Sequence, residues 1–205
     1  SFGGIVVWGP GKASFAYATI SYGGADTANT FGALEARGDQ LAPAQEILKV
    51  DHVTIKGAVK FGVSLRAGAA FTPDSQALTV QGAALAPLRI NPRLLSNVPS
   101  GDYTGNGADH IVVETEAYGD ATLEDVVIHE RGVPYQIGGD VSFGAFVVGS
   151  GTVPVTLTIE PGVVMKFWRN DAAGLYLDKG SNNRAANATL VAVGTAAQPI
   201  VFTSA

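Results

Sequence analysis

The chain has 205 residues, a formal net charge of −5 and a charged share of 15%, against roughly 25% in an average soluble domain. This acidic, charge-poor composition disfavours nucleic-acid binding through neutralised phosphates, and the absence of cysteine excludes disulfides and thiolate metal sites. The apolar runs fall far short of the ~20 residues that a membrane-spanning helix needs, so we expect no membrane insertion.

Short apolar runs bounded by Gly, Pro, Asn or Asp predict about fifteen strands and almost no helix. In chain order they are Gly4–Trp8, Phe15–Tyr22, Ile47–Lys56, Gly62–Arg66, Ala77–Gln81, Leu88–Asn91, Ile111–Thr115, Val126–Glu130, Pro134–Ile137, Asp140–Phe143, Thr156–Ile159, Val163–Trp168, Leu175–Leu177, Thr189–Val193 and Ile200–Thr203. Strand spacing alone also permits a sandwich or a barrel.

Recurring triplets favour a solenoid over those alternatives. An apolar triplet with a central Thr appears at Ala18–Ile20, Val53–Ile55, Leu78–Val80 and Leu157–Ile159. These separations are typical of coils of roughly 20–30 residues with inserted loops. Hairpin dipeptides are nearly absent, apart from Asn106 and the glycine after it. We therefore predict one all-β domain over residues 1–205, a parallel β-helix of about eight rungs.

Two stretches depart from the strand pattern. Residues 25–45 are polar and Ala-rich, and we interpret them as an inserted loop in which Ala33–Arg37 forms at most a helical turn. Residues 91–109 read as a long connection. Solenoids tolerate such insertions on one face, so neither loop by itself indicates a site.

Several phrases together resemble a repeat of large secreted bacterial surface proteins with the pectin-lyase-like, right-handed parallel β-helix fold. They are Ser1–Val7 (SFGGIVV), Tyr17–Gly24 (YATISYGG), Val98–Asp109 (VPSGDYTGNGAD), Gly132–Val141 (GVPYQIGGDV), Leu157–Phe167 (LTIEPGVVMKF) and Leu190–Ser204 (LVAVGTAAQPIVFTS). The resemblance covers about half of the chain and implies a secreted or cell-surface location. It implies no particular activity.

The order of these phrases is unusual for proteins of that kind. In those proteins, a phrase like Pro199–Ser204 is usually followed by a loop and then by a phrase like Ser1–Val7. Here the first of these phrases closes the chain and the second opens it. We interpret the chain as a fragment of a longer protein. Open β-helix ends expose unpaired backbone groups, so we expect further coils or end-to-end self-association there.

The charged groups predict no catalytic residue, metal centre or cofactor. The histidines lack the spacing of a metal pair, and neighbouring strand residues point to opposite faces. The carboxylate pairs of Glu114 with Glu116 and of Glu124 with Glu130 are interpreted as solvated surface groups, although glycoside hydrolysis does require two carboxyls. The three histidines are His52, His110 and His129.

Aromatic and basic residues predict a carbohydrate-binding strip, since rings stack on sugars and cations hold uronates. Its predicted members are Trp8, Lys166, Trp168 and Arg169, with Tyr17 and Tyr22 as further candidates. A weaker hypothesis places Ca²⁺ on the oxygens of Asp102, Asn106 and Asp109, in a stretch that lacks the full calcium-loop pattern.

These observations favour a non-enzymatic extracellular structural or adhesive module that binds carbohydrate or a partner protein. The first alternative is a polysaccharide lyase or glycoside hydrolase of pectin-lyase-like fold, which requires two carboxylates, or a carboxylate and a base, near one sugar. The second is a fibre subunit that assembles through open β-helix ends.

Overall fold

The computed structural model describes residues 2–24, 32–39, 44–114, 121–122, 124–139, 145–149, 154–168, 174–177 and 187–205. Short strands dominate, together with one 3₁₀ segment, η1 (Pro92–Asn97). The strands are β1 (Ile5–Trp8), β2 (Ala13–Ala16), β3 (Thr19–Ser21), β4 (Gly32–Arg37), β5 (Gln45–Lys56), β6 (Phe61–Arg66), β7 (Ala69–Phe71), β8 (Gln76–Gln81), β9 (Leu88–Ile90), β10 (Gly101–Asp102), β11 (Ile111–Val113), β12 (Ala121–Thr122), β13 (Val126–Ile128), β14 (Tyr135–Ile137), β15 (Ala145–Val148), β16 (Val155–Ile159), β17 (Val164–Phe167), β18 (Gly174–Leu177), β19 (Ala188–Ala192) and β20 (Val201–Ser204). Within this part of the chain no helix has the length and apolar character needed to cross a membrane.

The chain forms two compact units. Unit 1 contains Ser1–Asn91, Asn97–Ile111 and Arg131–Val133, and unit 2 contains Pro92–Ser96, Val112–Glu130 and Pro134–Ala205. In both units every strand pair with a defined register is parallel. Hairpins would instead make neighbouring strands antiparallel. The predicted all-β, parallel β-helix class is therefore confirmed.

Unit 1 stacks its coils through two parallel sheets. One has the order β1-β4-β6-β9, and the other has the order β10-β8-β5-β2, with β3 and β7 also paired to β5. The central Thr residues of three predicted triplets lie in register, Thr19 opposite Thr54 and Thr54 opposite Thr79. The recurring phrase in the sequence therefore marks the same position in successive coils.

Side-chain alternation along each strand builds the core of unit 1. In β5, Val53 and Ile55 are fully buried, whereas Thr54 between them faces outward and is half-buried. Leu34 of β4 and Leu78 of β8 are also fully buried. Because successive strand residues point to opposite faces, a parallel stack turns these apolar side chains onto one another.

Left-handed residues recur at the bends of unit 1. Tyr17, His52 and Ala77 have φ values of 50°, 52° and 51°. The residues that directly precede them, in β2, β5 and β8, are paired in register with one another. At the next bend, Gly57 has a φ of 63°, and a Cβ atom there would lie 2.8 Å from the ring of Tyr22. A larger residue at position 57 would therefore be both strained and in collision.

Unit 2 repeats the arrangement with three parallel sheets. Their orders are β11-β14-β17-β20, β12-β15-β18 and β13-β16-β19. Ile128, Leu157 and Met165 are among its fully buried residues. Four coils in unit 1 begin with β1, β4, β6 and β9, and four in unit 2 begin with β11, β14, β17 and β20. The total of eight coils agrees with the predicted number of about eight rungs.

The prediction for residues 25–45 was wrong at its centre. The expected loop with a helical turn at Ala33–Arg37 is instead strand β4, which pairs with β1 and β6. Ala33, Leu34 and Ala36 are completely buried between neighbouring coils. Alanine has low strand propensity, so packing against other coils decides this segment.

Other boundaries differ in detail. The connection predicted over 91–109 carries η1 and strand β10, which pairs with β8. Tyr103 in this stretch is fully buried and donates its hydroxyl to the Pro99 carbonyl at 2.7 Å. The strand predicted at Phe15–Tyr22 is divided into β2 and β3 at the left-handed Tyr17. The strand predicted at Asp140–Phe143 lies outside the described residues.

Substitution on the two faces of β5 tests this packing. Ile55→Ala removes a fully buried side chain, so we expect the free energy of unfolding to fall by about 2–5 kcal/mol. Thr54→Ala is the matched control on the outward face, with an expected loss below about 1 kcal/mol. Urea denaturation followed by circular dichroism measures both, and equal losses would contradict the assignment of faces.

Candidate functional site

The outward face of the β1-β4-β6-β9 sheet carries two rows of side chains. Leu34 and Ala36 face the core, so Glu35 and Arg37 of β4 point outward. In register, one row contains Val6, Glu35, Ser64 and Arg89, and the other contains Trp8, Arg37 and Arg66. Adjacent members stand about 4.8 Å apart, the spacing between neighbouring strands.

Trp8 forms an exposed aromatic platform beside Arg37. Its side chain is 61% exposed, and the Arg37 guanidinium carbon lies 4.6 Å from the centroid of its ring. This distance is within the range of a cation–π contact, in which the positive charge meets the negative face of the ring. The contact holds a flat ring and a flat cation together at the protein surface.

Glu35 lies close to two guanidinium groups and is completely buried. Its Oε1 atom accepts a hydrogen bond from Nε of Arg37, and Nη1 of Arg66 lies 3.9 Å from the same oxygen. A buried carboxylate must be paired, because its desolvation otherwise costs several kcal/mol. The bond to Nε also restricts how the guanidinium plane of Arg37 can turn.

Ser64 and Arg89 continue the row that contains Glu35. Both residues are buried, with Ser64 fully inaccessible and Arg89 5% exposed. The Ser64 hydroxyl oxygen has no hydrogen-bond partner among the residues that the structure describes. These polar groups give the outward face of unit 1 a chemistry unlike that of its apolar interior.

The other predicted carbohydrate-binding residues belong to unit 2. Lys166 lies in β17, in register with Gln136 of β14 and Thr203 of β20. Trp168 follows β17 on the same face as Lys166 and donates its backbone N–H to the Ile137 carbonyl at 3.0 Å. Arg169 lies outside the described residues.

The two additional tyrosines mark bends of unit 1. Tyr17 is 80% exposed and stacks on the ring of His52 at a centroid distance of 4.9 Å. Tyr22 is 69% exposed and lies over Gly57. His52 also contacts Asp51, with 2.7 Å between Nδ1 and Oδ1. These rings present apolar faces to solvent at successive bends of one coil.

The proposed calcium-binding oxygens of Asp102, Asn106 and Asp109 accept hydrogen bonds from nearby residues. Oδ1 of Asn106 accepts from the amide of Ala83 at 3.0 Å, and its Nδ2 donates to the carbonyl of Val80 at 3.0 Å. Oδ1 and Oδ2 of Asp109 accept the amides of Asn106 and Gly105. Asn106 therefore holds the loop to the preceding coil, whereas Asp109 stabilises the conformation of the loop itself.

Hydrogen bonds in this loop lower the pKa values of Asp102 and Asp109. The Thr104 hydroxyl bonded to Asp102 lowers the pKa of that carboxyl, and the backbone N–H of Asn106 does the same for Asp109. Both carboxyls therefore favour their charged form in the folded loop. The described residues contain no group of three His, Cys, Asp or Glu side chains arranged to hold a metal ion.

Histidine and carboxylate contacts in unit 2 link consecutive coils. Nδ1 of His129 lies 2.8 Å from Oε1 of Glu160, and Oε2 of Glu160 accepts the backbone N–H of Glu130. The Tyr135 hydroxyl donates to the His129 carbonyl at 2.8 Å. The partner of His129 is thus a carboxylate 31 residues away. The spacing of residues in the sequence did not predict this pair.

Glu35 and Arg37 were missed as site residues because β4 was interpreted as a loop, and Arg66 of the predicted strand Gly62–Arg66 was missed because its neighbour in β4 was not recognised. A repeated phrase contained the necessary signal. Phe-Gly separated by five intervening residues from a second Gly occurs from Phe2, Phe31 and Phe61, about one coil apart. Aligning these phrases places Trp8 beside Arg37, the register that the strands adopt.

We expect Asn106→Ala to lower the free energy of unfolding by about 1–3 kcal/mol, because four hydrogen bonds disappear and the amide of Ala83 loses its partner. Gln81→Ala, which removes one exposed bond to Asp102, is the control and should change stability by less than about 0.5 kcal/mol. Urea denaturation in chelator measures both variants. An unchanged midpoint for Asn106→Ala would refute the structural role.

Comparison with known proteins assigns no family. No protein-family model, curated protein or solved structure matches the chain. The described strands support the coarser statement, a parallel β-solenoid of many short strands.

Proposed function

We propose that the chain is a non-enzymatic structural and adhesive module of a secreted or cell-surface bacterial protein, and that the outward face of unit 1 around Trp8 binds carbohydrate. The observation that carries the proposal is the Trp8 ring, 61% exposed and fixed beside Arg37. An exposed ring held in a fixed orientation offers an apolar face on which a sugar ring can stack.

The structural part of the proposal rests on how the coils are built. Each coil pairs in register with the next, and the apolar side chains form a continuous core without disulfides. Such stacking makes a module that holds its outward side chains at fixed spacing. The resemblance to repeats of secreted pectin-lyase-like surface proteins supports the proposed location.

The burial of Glu35 argues against the enzymatic alternative. A carboxylate that acts on a sugar has to contact it, whereas Glu35 is completely buried and bonded to Arg37. The neighbouring Arg37 and Arg66 are better suited to hold a ligand than to receive a proton, because guanidinium remains charged. The geometry thus favours binding over hydrolysis on this face.

The remaining alternatives stay predictions. In one alternative, a partner protein binds the outward faces in place of carbohydrate. End-to-end self-association follows from the backbone groups that a β-helix leaves unpaired at an open end.

We expect Trp8→Ala to weaken polysaccharide binding about tenfold, because stacking on an aromatic ring is lost. Affinity electrophoresis through gels containing a panel of soluble plant and bacterial polysaccharides measures the retardation of each variant. Leu85→Ala removes another exposed apolar side chain of unit 1 and should migrate like the parent protein. Loss of binding by both variants, or by neither, would contradict a specific role for Trp8.

A turnover assay separates the module from the enzyme. We expect no reducing ends and no unsaturated products when the protein is incubated with the same polysaccharides, because Glu35 is buried away from any ligand. Reducing-sugar analysis and absorbance of unsaturated uronates provide the two readouts. Depolymerisation that Glu35→Gln abolishes in a folded variant would establish the enzymatic alternative.

A further inference from the structure

Asn106 and Gly107 form the dipeptide in which asparagine loses its side-chain amide most readily. The backbone nitrogen of the following residue can attack the side-chain amide carbon, and glycine permits this approach because it has no Cβ atom. Loss of ammonia then closes a cyclic succinimide, which is one reason why asparagine is a chemically labile residue. The chain contains an asparagine followed by glycine once, at this position.

Packing explains why the reactive pair is present. A Cβ atom at position 107 would lie 2.1 Å from the carbonyl oxygen of Ala84, so only glycine fits where the loop approaches the preceding coil. Asn106 is equally specific, because its amide accepts from the backbone N–H of Ala83 and donates to the carbonyl of Val80, both at 3.0 Å. Aspartate could make only the first of these bonds, and alanine could make neither.

In the closed loop both reacting groups are bonded to Ala83. The backbone N–H of Gly107 donates to the Ala83 carbonyl at 2.8 Å, while Oδ1 of Asn106 accepts the Ala83 N–H at 3.0 Å. The attack requires that the Gly107 nitrogen lose its proton and that the Asn106 side chain be free to turn toward it. Each requirement breaks a hydrogen bond to the preceding coil, so the loop has to open before the reaction begins.

We propose that Asn106 is a deamidation site whose reaction is controlled by opening of the loop at residues 102–109. In the open loop, the Gly107 nitrogen forms a bond to Cγ of Asn106, the bond between Cγ and Nδ2 breaks, and ammonia leaves with the amide proton. Water then adds across one of the two ring C–N bonds of the succinimide. The product is aspartate or isoaspartate, according to which bond is opened.

The product cannot restore the contacts of the closed loop. Nδ2 of Asn106 donates to the carbonyls of Val80 and Tyr103, and it lies 3.4 Å from Oδ1 of Asp109. A carboxylate oxygen in its place has no hydrogen to donate, and it brings a negative charge against three acceptors. The lowered pKa values of Asp102 and Asp109 keep both of these neighbours charged, so the new carboxylate is also repelled. Deamidation therefore makes a reversible opening permanent.

Peptide mapping by mass spectrometry measures the reaction, and the tryptic peptide that ends at Arg131 also contains Asn97 as an internal reference. Asn97 is followed by Val98, whose branched side chain hinders the attack. In mildly alkaline buffer, we expect Asn106 to deamidate about tenfold or more slowly in the folded protein than in urea, because few molecules have an open loop. Asn97 should stay largely intact in both. Equal rates for Asn106 in the two conditions would overturn the proposal.

Asp109→Ala loosens the loop but keeps both bonds to the preceding coil. It removes the acceptor of the Gly105 and Asn106 amides, so we expect Asn106 to deamidate about tenfold faster in native buffer. Asp74→Ala is the matched control, because Asp74 is an exposed acceptor in the turn between β7 and β8, where Thr72 donates to it at 2.6 Å. This control should deamidate like the parent protein. Acceleration in both variants, or in neither, would contradict control by this loop.

The deamidated fraction of an aged sample tests whether the opening is permanent, and anion exchange separates it by its added negative charge. We expect faster backbone hydrogen exchange than in the parent protein over residues 102–109, while β4 and β6 keep their protection. Asn106→Asp supplies the aspartate product directly and should unfold at a lower urea concentration than Asn106→Ala, since alanine places no charge against the acceptors. Equal urea midpoints for these variants, or unchanged exchange in the deamidated fraction, would overturn the proposal. If Asn106→Asp does not fold, the deamidated fraction decides the question alone.

Discussion

Parallel in-register stacking of short strands is the constraint on which the rest of the structure depends. Each coil satisfies the backbone hydrogen bonds of its neighbours, and the register places Thr54 between Thr19 and Thr79 and Ile55 between Ile20 and Val80. Because strand side chains alternate, one register determines both the apolar interior and the outward surface. A slip of one residue would turn Ile55 toward water and Thr54 toward the core.

The same constraint builds the candidate site from residues that are far apart in the sequence. Trp8, Arg37 and Arg66 belong to three successive coils and lie side by side because β1, β4 and β6 are paired. Glu35 lies in the adjacent row, where burial makes its pairing with arginine obligatory. The aromatic platform and its cations are therefore a product of coil register, and their spacing is that of the strands.

Local sequence was sufficient where a strand carried a strong pattern. The Thr-centred triplets and the apolar runs predicted β5, β8 and β16 within about two residues. The sequence also singled out Trp8, whose exposure makes it the centre of the proposed site. It failed at β4, since the alanines of Gly32–Arg37 carry little strand propensity and only neighbouring coils make them a buried strand. Arg37, which contacts the Trp8 ring, was not recognised because it lies in that strand.

Composition and periodicity by themselves determined that this protein is all-β, free of disulfides and coiled rather than hairpin-built. These properties follow from short-range patterns that any local segment displays. Only the tertiary structure decided that Arg37 lies on Trp8, that Glu35 is buried between two arginines, and that Asn106 joins its loop to Val80 and Ala83. Each of those contacts joins different strands or coils, and it exists only once the register between them is established.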